Sequence, residues 1–282
     1  MKILITGANG QLGTDLVRVC EAAGDEPLAF GRDVLDLTDR DSVMLTAAAA
    51  DPDVIVNCGA WTAVDACESD PDLAYAVNAM GVRWVAEAAR RTGAHLVHIS
   101  TDYVFDGTKP TPYDEWDTPN PQSVYGRSKW AGEQHLDPSH TCVRTSWVCS
   151  AHGNNMVSTV LRLADRPELA FVDDQHGCPT FTTDLAEAVR HLAVERLSGT
   201  WHITNSGTTT WYGFVRDVLA AIGEDPDKVR PITTAELDPP RPAHRPANSV
   251  LDNAALRAAG FPPLQHYRDA LNLCLMELDA LG

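Results

Sequence analysis

The feature that most constrains the fold is a short apolar run at the start of the chain, followed at once by spaced glycines. Residues 3–5 are predicted to form a buried strand, and Gly7, Gly10 and Gly13 come directly before a helical pattern. Glycine lets the backbone turn sharply and approach a pyrophosphate, which the free N–H groups of the next helix stabilise. This order of strand, glycine turn and helix predicts a dinucleotide site.

Short apolar runs alternate with helical patterns over the first 145 residues. Parallel strands need crossover helices, so the alternation predicts an α/β fold, a Rossmann-like doubly wound parallel sheet with a smaller mixed α/β substrate-binding lobe. The proline-rich residues 238–246 are predicted to form a loop. We assign residues 1–150, plus about 168–205, to the dinucleotide-binding domain. The substrate-binding lobe takes about 151–167 and 206–282.

Composition narrows the possible partners. The 39 acidic and 22 basic side chains give a formal net charge of −17, which repels nucleic acids but leaves room for a small anion at a helix N-terminus. The seven cysteines contain no Cys-x-x-Cys pair, as is typical of reduced thiols in a cytoplasmic protein. No apolar stretch has the length of a membrane span, so we expect no membrane partner.

The end of the second predicted strand bears on the choice of cofactor. Arg32 follows this strand, and an arginine there favours the extra phosphate of NADP, whereas an acidic residue would favour NAD. We therefore expect NADPH. NADH stays an alternative if Arg32 is only a solvated surface charge.

Tyr125 and Lys129 are the only Tyr-x-x-x-Lys pair in the chain, and they stand at the start of a predicted helix. A spacing of four places both side chains on one helix face. A ketone that receives a hydride also needs a proton on its oxygen, which Tyr125 could donate. We expect Lys129 to lower the pKa of this tyrosine and to hold the nicotinamide ribose.

A third catalytic group is expected at the carboxyl end of a neighbouring strand. Ser100 and Thr101 supply two successive hydroxyl groups where the fourth predicted strand ends. Thr101 is the preferred candidate for orienting the carbonyl oxygen, and Ser100 is the alternative.

With these motifs the chain resembles the extended short-chain dehydrogenases/reductases, and within them the dTDP-4-dehydrorhamnose reductase family. The resemblance covers nearly the whole sequence. Its most specific blocks are residues 100–107, Ser-Thr-Asp-Tyr-Val-Phe-Asp-Gly, and residues 144–148, Arg-Thr-Ser-Trp-Val. Further matching blocks are residues 6–13, 36–39, 53–57, 61–65, 125–129, 153–156, 174–180, 207–211 and 245–249.

The resemblance implies two sets of binding residues. The cofactor set comprises Gly7, Asn9, Gly10, Gln11, Leu12, Gly13, Asp36, Leu37, Gly59, Ala60 and Thr62, beside the Arg32, Tyr125 and Lys129 already named. The sugar set comprises Val64, Asp102, Tyr103 and Trp147, with Asn155, Thr180, Arg245 and Asn248 approaching from the second lobe. A magnesium ion, which some relatives use, would take Asp15, Asp184 and Glu277, but we assign no metal.

The implied activity is reduction of the 4-keto group of a dTDP-linked 4-keto-6-deoxysugar by a monomer or homodimer. A related reductase of an antibiotic pathway and a non-catalytic NADP-binding regulatory subunit are alternatives. A dehydratase is disfavoured, because dehydratases of this group carry Thr-Asp-Glu where this chain has Thr101, Asp102 and Tyr103.

Overall fold

A computed structural model describes residues 1–281, and its central feature is a six-stranded parallel sheet. The strands are β1 Lys2–Thr6, β2 Glu26–Phe30, β3 Val54–Asn57, β4 His95–Thr101, β5 Thr141–Thr145, β6 Val148–Cys149, β7 Leu169–Val172, β8 His176–Gly177, β9 Thr180–Phe181, β10 Gly199–His202, β11 Thr209–Thr210 and β12 Val229–Ile232. The large sheet has the order β10-β5-β4-β3-β1-β2, and every pairing in it is parallel. The predicted doubly wound sheet is confirmed.

Eleven α-helices lie within the described residues. They are α1 Gln11–Ala22, α2 Arg40–Ala50, α3 Val64–Ser69, α4 Pro71–Tyr75, α5 Gly81–Thr92, α6 Val124–Glu133, α7 Met156–Leu163, α8 Thr182–Val194, α9 Trp211–Ala221, α10 Ala254–Ala258 and α11 Tyr267–Leu281. A π-helical turn, Ala76–Met80, joins α4 to α5. Among the described helices, none is long and apolar enough to cross a membrane.

Neighbouring residues of β1 show why helices must cover both faces of the sheet. Ile3 and Ile5 point to one face and pack with residues of α1 and α8, such as Leu16 and Leu185. Leu4 points to the other face, where it packs with α2 and α5. Side chains alternate along a strand, so a continuous apolar run needs cover on both sides.

A second apolar core lies beyond the large sheet. It joins α7, α9 and α11 with the short strands β7 and β12, which pair in parallel. Leu169 and Phe181 pack in this core, whereas α8 packs on the large sheet. Residues 238–246 contain neither helix nor strand, as expected.

The carboxyl ends of the parallel strands meet at one edge of the large sheet. Thr6 lies opposite Asn57 in neighbouring strands, and Thr101 lies opposite Thr145. The glycine turn after β1 and the hydroxyl groups after β4 therefore face the same crevice, where ligands of such sheets bind.

Candidate active site

The glycine turn between β1 and α1 packs directly against the segment after β3. Gly7 has a φ of +61°, which side-chain-bearing residues rarely adopt. A Cβ atom at Gly7 would lie 2.8 Å from the Cα of Gly59, and one at Gly13 would lie 2.4 Å from the Gly7 carbonyl oxygen. Since α1 begins at Gln11 without a side-chain cap, its first N–H groups are available to an anion.

A cavity of about 390 Å³ lies beside this turn and gathers most of the predicted cofactor residues. Its lining includes Gly7, Asn9, Gly10, Arg32, Asp36, Leu37, Gly59 and Ala60. The other predicted residues lie apart from the lining. Leu12 packs with α1 and α8 against the large sheet, and Thr62 is exposed. Gln11 accepts a hydrogen bond from Asn155, and Gly13 packs closely against the glycine turn.

Arg32 and Asp36 face each other at the rim of the cavity. The Arg32 side chain is 76% exposed, and its Nε lies 3.9 Å from Oδ2 of Asp36. The Asp36 carboxylate accepts hydrogen bonds from the backbone N–H and the hydroxyl of Thr38, and these hold its pKa below the usual value. A carboxylate suits ribose hydroxyls and an exposed guanidinium suits a phosphate, so the rim fits either nicotinamide cofactor.

The first turn of α6 places Tyr125 beside Thr101. The hydroxyl of Ser123 caps this helix by accepting from the N–H of Gly126 at 3.1 Å. A Cβ atom at Gly126 would lie 2.2 Å from the carbonyl oxygen of Tyr103, so only glycine permits so close an approach. The three predicted catalytic side chains, Thr101, Tyr125 and Lys129, are all buried here.

Burial controls the acidity of Tyr125. Removal from water raises the pKa of its phenol, which the Thr101 hydroxyl lowers and the charge of Asp102 raises further. The expected lowering of this pKa by Lys129 is wrong for this structure, because the lysine reaches a backbone carbonyl instead. The phenol is therefore neutral and keeps the proton that a carbonyl oxygen would receive.

Lys129 lies deeper than Tyr125, against β4. Its Nζ donates to the carbonyl oxygen of Ile99 at 2.6 Å and lies 3.5 Å from Nε2 of His98. Burial lowers the pKa of Lys129 to about 8. This lysine therefore loses its proton at a much lower pH than an exposed lysine does.

Thr101 and Asp102 form the polar end of β4. The Thr101 hydroxyl donates to Oδ1 of Asp102 at 2.9 Å, whereas Oδ2 is buried and has no hydrogen-bond partner within residues 1–281. Burial raises the pKa of Asp102 to about 6. A buried carboxylate oxygen without a partner is costly, so it is suited to accept from a bound molecule.

Aromatic rings surround the catalytic pair and the adjacent strand end. The rings of Tyr103 and Tyr125 meet edge to face at 5.4 Å, and Val64 packs in the same cluster. Trp147, which comes two residues after β5, has a φ of +45° and stacks on Trp211 with ring centroids 3.6 Å apart. A residue other than glycine is strained when its backbone φ is positive, so tertiary packing must hold Trp147 in this conformation.

Two predicted second-lobe residues, Asn155 and Thr180, serve the fold in this structure. Asn155 caps α7, and its Nδ2 donates to Oε1 of Gln11 at 3.0 Å. Thr180 is fully buried in β9, where its hydroxyl donates to the carbonyl oxygen of Cys178. If Asn155 and Thr180 contact a sugar nucleotide as predicted, each must share these hydrogen bonds with the ligand or give them up.

The other two predicted second-lobe residues anchor the loop that covers α3. Arg245 donates from Nη2 to Oδ2 of Asp65 at 2.8 Å. Asn248 donates to the backbone carbonyl of Lys109 at 2.7 Å. The proline-rich loop is thus tied to the segment next to Val64, at the sugar side of the predicted site.

The implied magnesium ligands do not assemble as a set. Asp15 and Glu277 lie with His152, their ligand atoms within 4.8 Å of one another. Arg18 already pairs with both carboxylates, each at 2.6 Å. Asp184 does not join this group and accepts hydrogen bonds from side-chain amides elsewhere. These contacts give magnesium no support.

Sequence reasoning missed a buried ion pair behind the catalytic side chains. Nη2 of Arg144 lies 2.7 Å from Oε2 of Glu133, and the Ser100 hydroxyl donates to the same carboxylate. An arginine in the middle of a buried strand requires a charged partner, so Arg144 within an apolar run could have predicted this pair from the sequence. The sequence also did not predict that Trp211, the last residue of the family block 207–211, contacts Trp147.

A doubly wound parallel sheet, a glycine turn for a pyrophosphate and a buried Thr-Tyr-Lys group at the strand ends define an extended short-chain dehydrogenase/reductase. Enzymes of this class use a nicotinamide cofactor to oxidise or reduce a carbon atom of their substrates, and they include dehydratases and epimerases as well as reductases.

Comparisons with known proteins make the assignment more particular. The family model described as RmlD substrate binding domain matches residues 1–280. A dTDP-4-dehydrorhamnose reductase of Streptomyces griseus is 45% identical over 278 residues, covering 95% of this chain and 91% of that protein. The chain belongs to the RmlD substrate binding domain family, which includes dTDP-4-dehydrorhamnose reductases.

Two solved structures of dTDP-4-dehydrorhamnose reductases agree with this fold. The enzyme from Clostridium acetobutylicum has a TM-score of 0.95 and 42% identity, covering 99% of this chain and 100% of that one. The enzyme from Bacillus anthracis, in complex with NADP, has a TM-score of 0.93 and 38% identity, covering 98% of this chain and 99% of that one.

Proposed function

We propose that this protein reduces the 4-keto group of dTDP-4-dehydrorhamnose to form dTDP-L-rhamnose, with NADPH as the reductant. The observation that carries the proposal is the buried group of Thr101, Tyr125 and Lys129 beside a pyrophosphate-binding turn, in a chain of this family. The NADP complex of the Bacillus anthracis relative supports the cofactor. The exposed Arg32 at the cavity rim would meet the additional phosphate.

The bound cofactor supplies a hydride to C4 of the sugar. Tyr125 gives its phenolic proton to the ketone oxygen, which would otherwise become an alkoxide, and the product is an alcohol. The hydroxyl of Thr101, turned away from Asp102, would donate to that oxygen and orient it from beside the phenol. Lys129 would donate from its ammonium to the nicotinamide ribose.

The sugar is proposed to lie against the end of β4 and the segment after β5. The unpartnered Oδ2 of Asp102 would accept a hydrogen bond from a sugar hydroxyl. Val64 and Tyr103 would bound the ring, while Trp147, which stacks on Trp211 and packs against Gly177, would contact the apolar side of the deoxysugar. In this proposal the second lobe, with Asn155, Thr180, Arg245 and Asn248, closes on the nucleotide.

The decisive experiment mixes the purified protein with dTDP-4-dehydro-L-rhamnose, and separately with its D-epimer, in the presence of NADPH or NADH. We expect loss of reduced-cofactor absorbance with the L-sugar, faster with NADPH. Oxidation with only the D-epimer would instead indicate a reductase of another pathway. No cofactor oxidation with either sugar would overturn the proposal.

A further inference from the structure

His98, a fully buried residue of β4, has no part in the proposed chemistry, although it lies next to Lys129. Burial and the charge of the lysine hold the pKa of His98 well below its usual value, so the ring is neutral. A neutral imidazole carries a proton on one nitrogen only, and its hydrogen-bond partners decide which one.

The partners of His98 begin at the wall of the cofactor cavity. The backbone N–H of Gly59 donates to Oγ1 of Thr6 at 3.2 Å, and the Thr6 hydroxyl donates to Oδ1 of Asn57 at 2.6 Å. If the Asn57 amide were rotated, the buried Thr6 hydroxyl proton would face another donor. Complete hydrogen bonding therefore fixes the orientation of this amide, with its oxygen toward Thr6.

The orientation of Asn57 in turn determines the protonated nitrogen of His98. Nδ2 of Asn57 lies 3.1 Å from Nδ1 of His98 and is the donor in this contact. Nδ1 must therefore be the bare acceptor, and the ring proton must be on Nε2. Nε2 is the atom that lies 3.5 Å from Nζ of Lys129.

We propose that His98 is a positioning residue for Lys129, held in its Nε2–H form by the hydrogen-bond chain that starts at Gly59. An N–H that points at Nζ cannot accept from the lysine, so it directs the lysine N–H groups to the Ile99 carbonyl and the cofactor side. The same N–H makes the ammonium form less favourable. The inference rests on the proposed function only in treating Lys129 as the ribose-binding lysine.

Other groups around Lys129 do not offer such control. Glu133, on the same helix, is paired with Arg144. The thiols of Cys58, directly after β3, and Cys142, on β5, lie near the lysine, and burial raises the pKa of both, so they are neutral. Among these neighbours of Lys129, only His98 can present either a donor or an acceptor to the lysine. A substitution at a partner of His98 can therefore exchange the one for the other.

Asn57→Asp should produce this reversal. A carboxylate at that position accepts instead of donating, so it would draw the imidazole proton to Nδ1 and leave Nε2 bare toward Lys129. Nuclear magnetic resonance of the intact protein with nitrogen-15 histidine reports the tautomer of each ring directly. His98→Phe identifies the signal of His98, and if that variant does not fold, His98→Asn serves the same purpose.

In the wild type we expect His98 to stay neutral in the Nε2–H form between about pH 6 and 9, and to switch to Nδ1–H in Asn57→Asp. His95, on the same strand with its Nε2 against the Thr141 hydroxyl, is the internal control and should not change. An Nδ1–H signal in the wild type, or titration of His98 near its ordinary pKa, would overturn the inference.

The consequence for Lys129 is measured by the pH dependence of NADPH affinity, without any sugar. Loss of the lysine proton should weaken NADPH binding above about pH 8 in the wild type. In Asn57→Asp this decline should move up by about one pH unit, because a bare Nε2 accepts from the ammonium. Asn57→Asp combined with His98→Asn keeps the new carboxylate charge without the imidazole, and its decline should move by clearly less; an equal shift in both variants would overturn the inference. A merely structural role would change the melting temperature but leave the decline where it is, which would contradict the proposal. Absence of sugar reduction would defeat the proposed function alone.

Discussion

The catalytic wall of the site, formed by β4, β5 and α6, is held by a buried ion pair, whereas the sugar wall, formed by α3 and residues 238–249, is held by one that reaches solvent. Arg144 and Glu133 have side chains only 4% exposed. The side chains of Arg245 and Asp65 are 15% and 30% exposed. A buried pair fixes geometry because breaking it leaves a charge without water, whereas an exposed pair exchanges easily with solvent. The reacting groups are thus fixed, and the wall that receives the sugar is adjustable.

The largest effect is expected at the catalytic wall, from Tyr125→Phe. Loss of the proton donor should lower kcat by about 10³-fold, while NADPH affinity changes by less than about 2-fold. Steady-state kinetics and cofactor titration measure the two quantities. Tyr75→Phe, which removes the hydroxyl group of an exposed tyrosine on α4, is the matched control and should retain full activity. A non-catalytic binding subunit would be indifferent to both substitutions.

Glu133→Gln tests whether the buried pair stabilises the catalytic wall. It leaves the Arg144 guanidinium buried without its counter-charge, so we expect the free energy of unfolding to fall by about 3 kcal/mol. Denaturation in urea measures this change. Glu87→Gln, at a solvent-exposed pair with Arg40 and Arg91, is the control and should have a much smaller effect. If both substitutions lowered the free energy of unfolding equally, the buried pair would not stabilise the catalytic wall more than a surface pair does.

Gly177→Ala examines how firmly Trp147 is held on the sugar side. A Cβ atom at Gly177 would lie 2.3 Å from the Trp147 ring, so the indole must shift. We expect the KM for the sugar nucleotide to rise about 10-fold, which is 1.4 kcal/mol of lost binding, with NADPH affinity unchanged. An unchanged sugar KM in a folded variant would show that Trp147 does not contact the substrate.

The smallest effect is expected from Asp65→Asn in the sugar wall. Burial raises the pKa of Asp65, but the hydrogen bonds from Arg245 and from the N–H of Ala243, together with the charges of Arg245 and Arg241, outweigh burial, and the net pKa lies below the usual value. The pair therefore stabilises the fold above the unfolded pKa near 3.8, and this contribution is lost as the pH falls through the lower folded pKa.

At neutral pH the cost of Asp65→Asn should be at most about 1 kcal/mol, after allowance for solvent screening. The sugar KM should rise a few-fold as the loop loosens. Asp252→Asn, which removes an exposed pair with Arg257, is the comparison variant and should leave the sugar KM unchanged. A stability loss as large as that of Glu133→Gln would mean that the two walls are equally rigid.

Local chemistry made the cofactor half predictable from the sequence. The turn at Gly7 requires a residue that tolerates positive φ, and the alternation of buried runs with helical patterns requires a parallel sheet. Tyr125 and Lys129 share a helix face whatever surrounds them, because the helical period places residues four apart side by side. The second lobe was harder to predict, since β6, β8, β9 and β11 are only two residues long and have no periodicity of their own.

The sequence by itself determined the class of fold, the glycine turn and the choice of Tyr125 and Lys129 as the candidate catalytic pair, because each depends on neighbours within a few residues. Tertiary structure alone decided that Lys129 reaches the Ile99 carbonyl, that Trp147 stacks on Trp211 and that Asp184 lies apart from Asp15. The two contacts of Lys129 and Trp147 join residues that are 30 or more positions apart in the chain. Only the packed fold fixes such distances, because burial and complete hydrogen bonding select one arrangement from many that the local sequence allows.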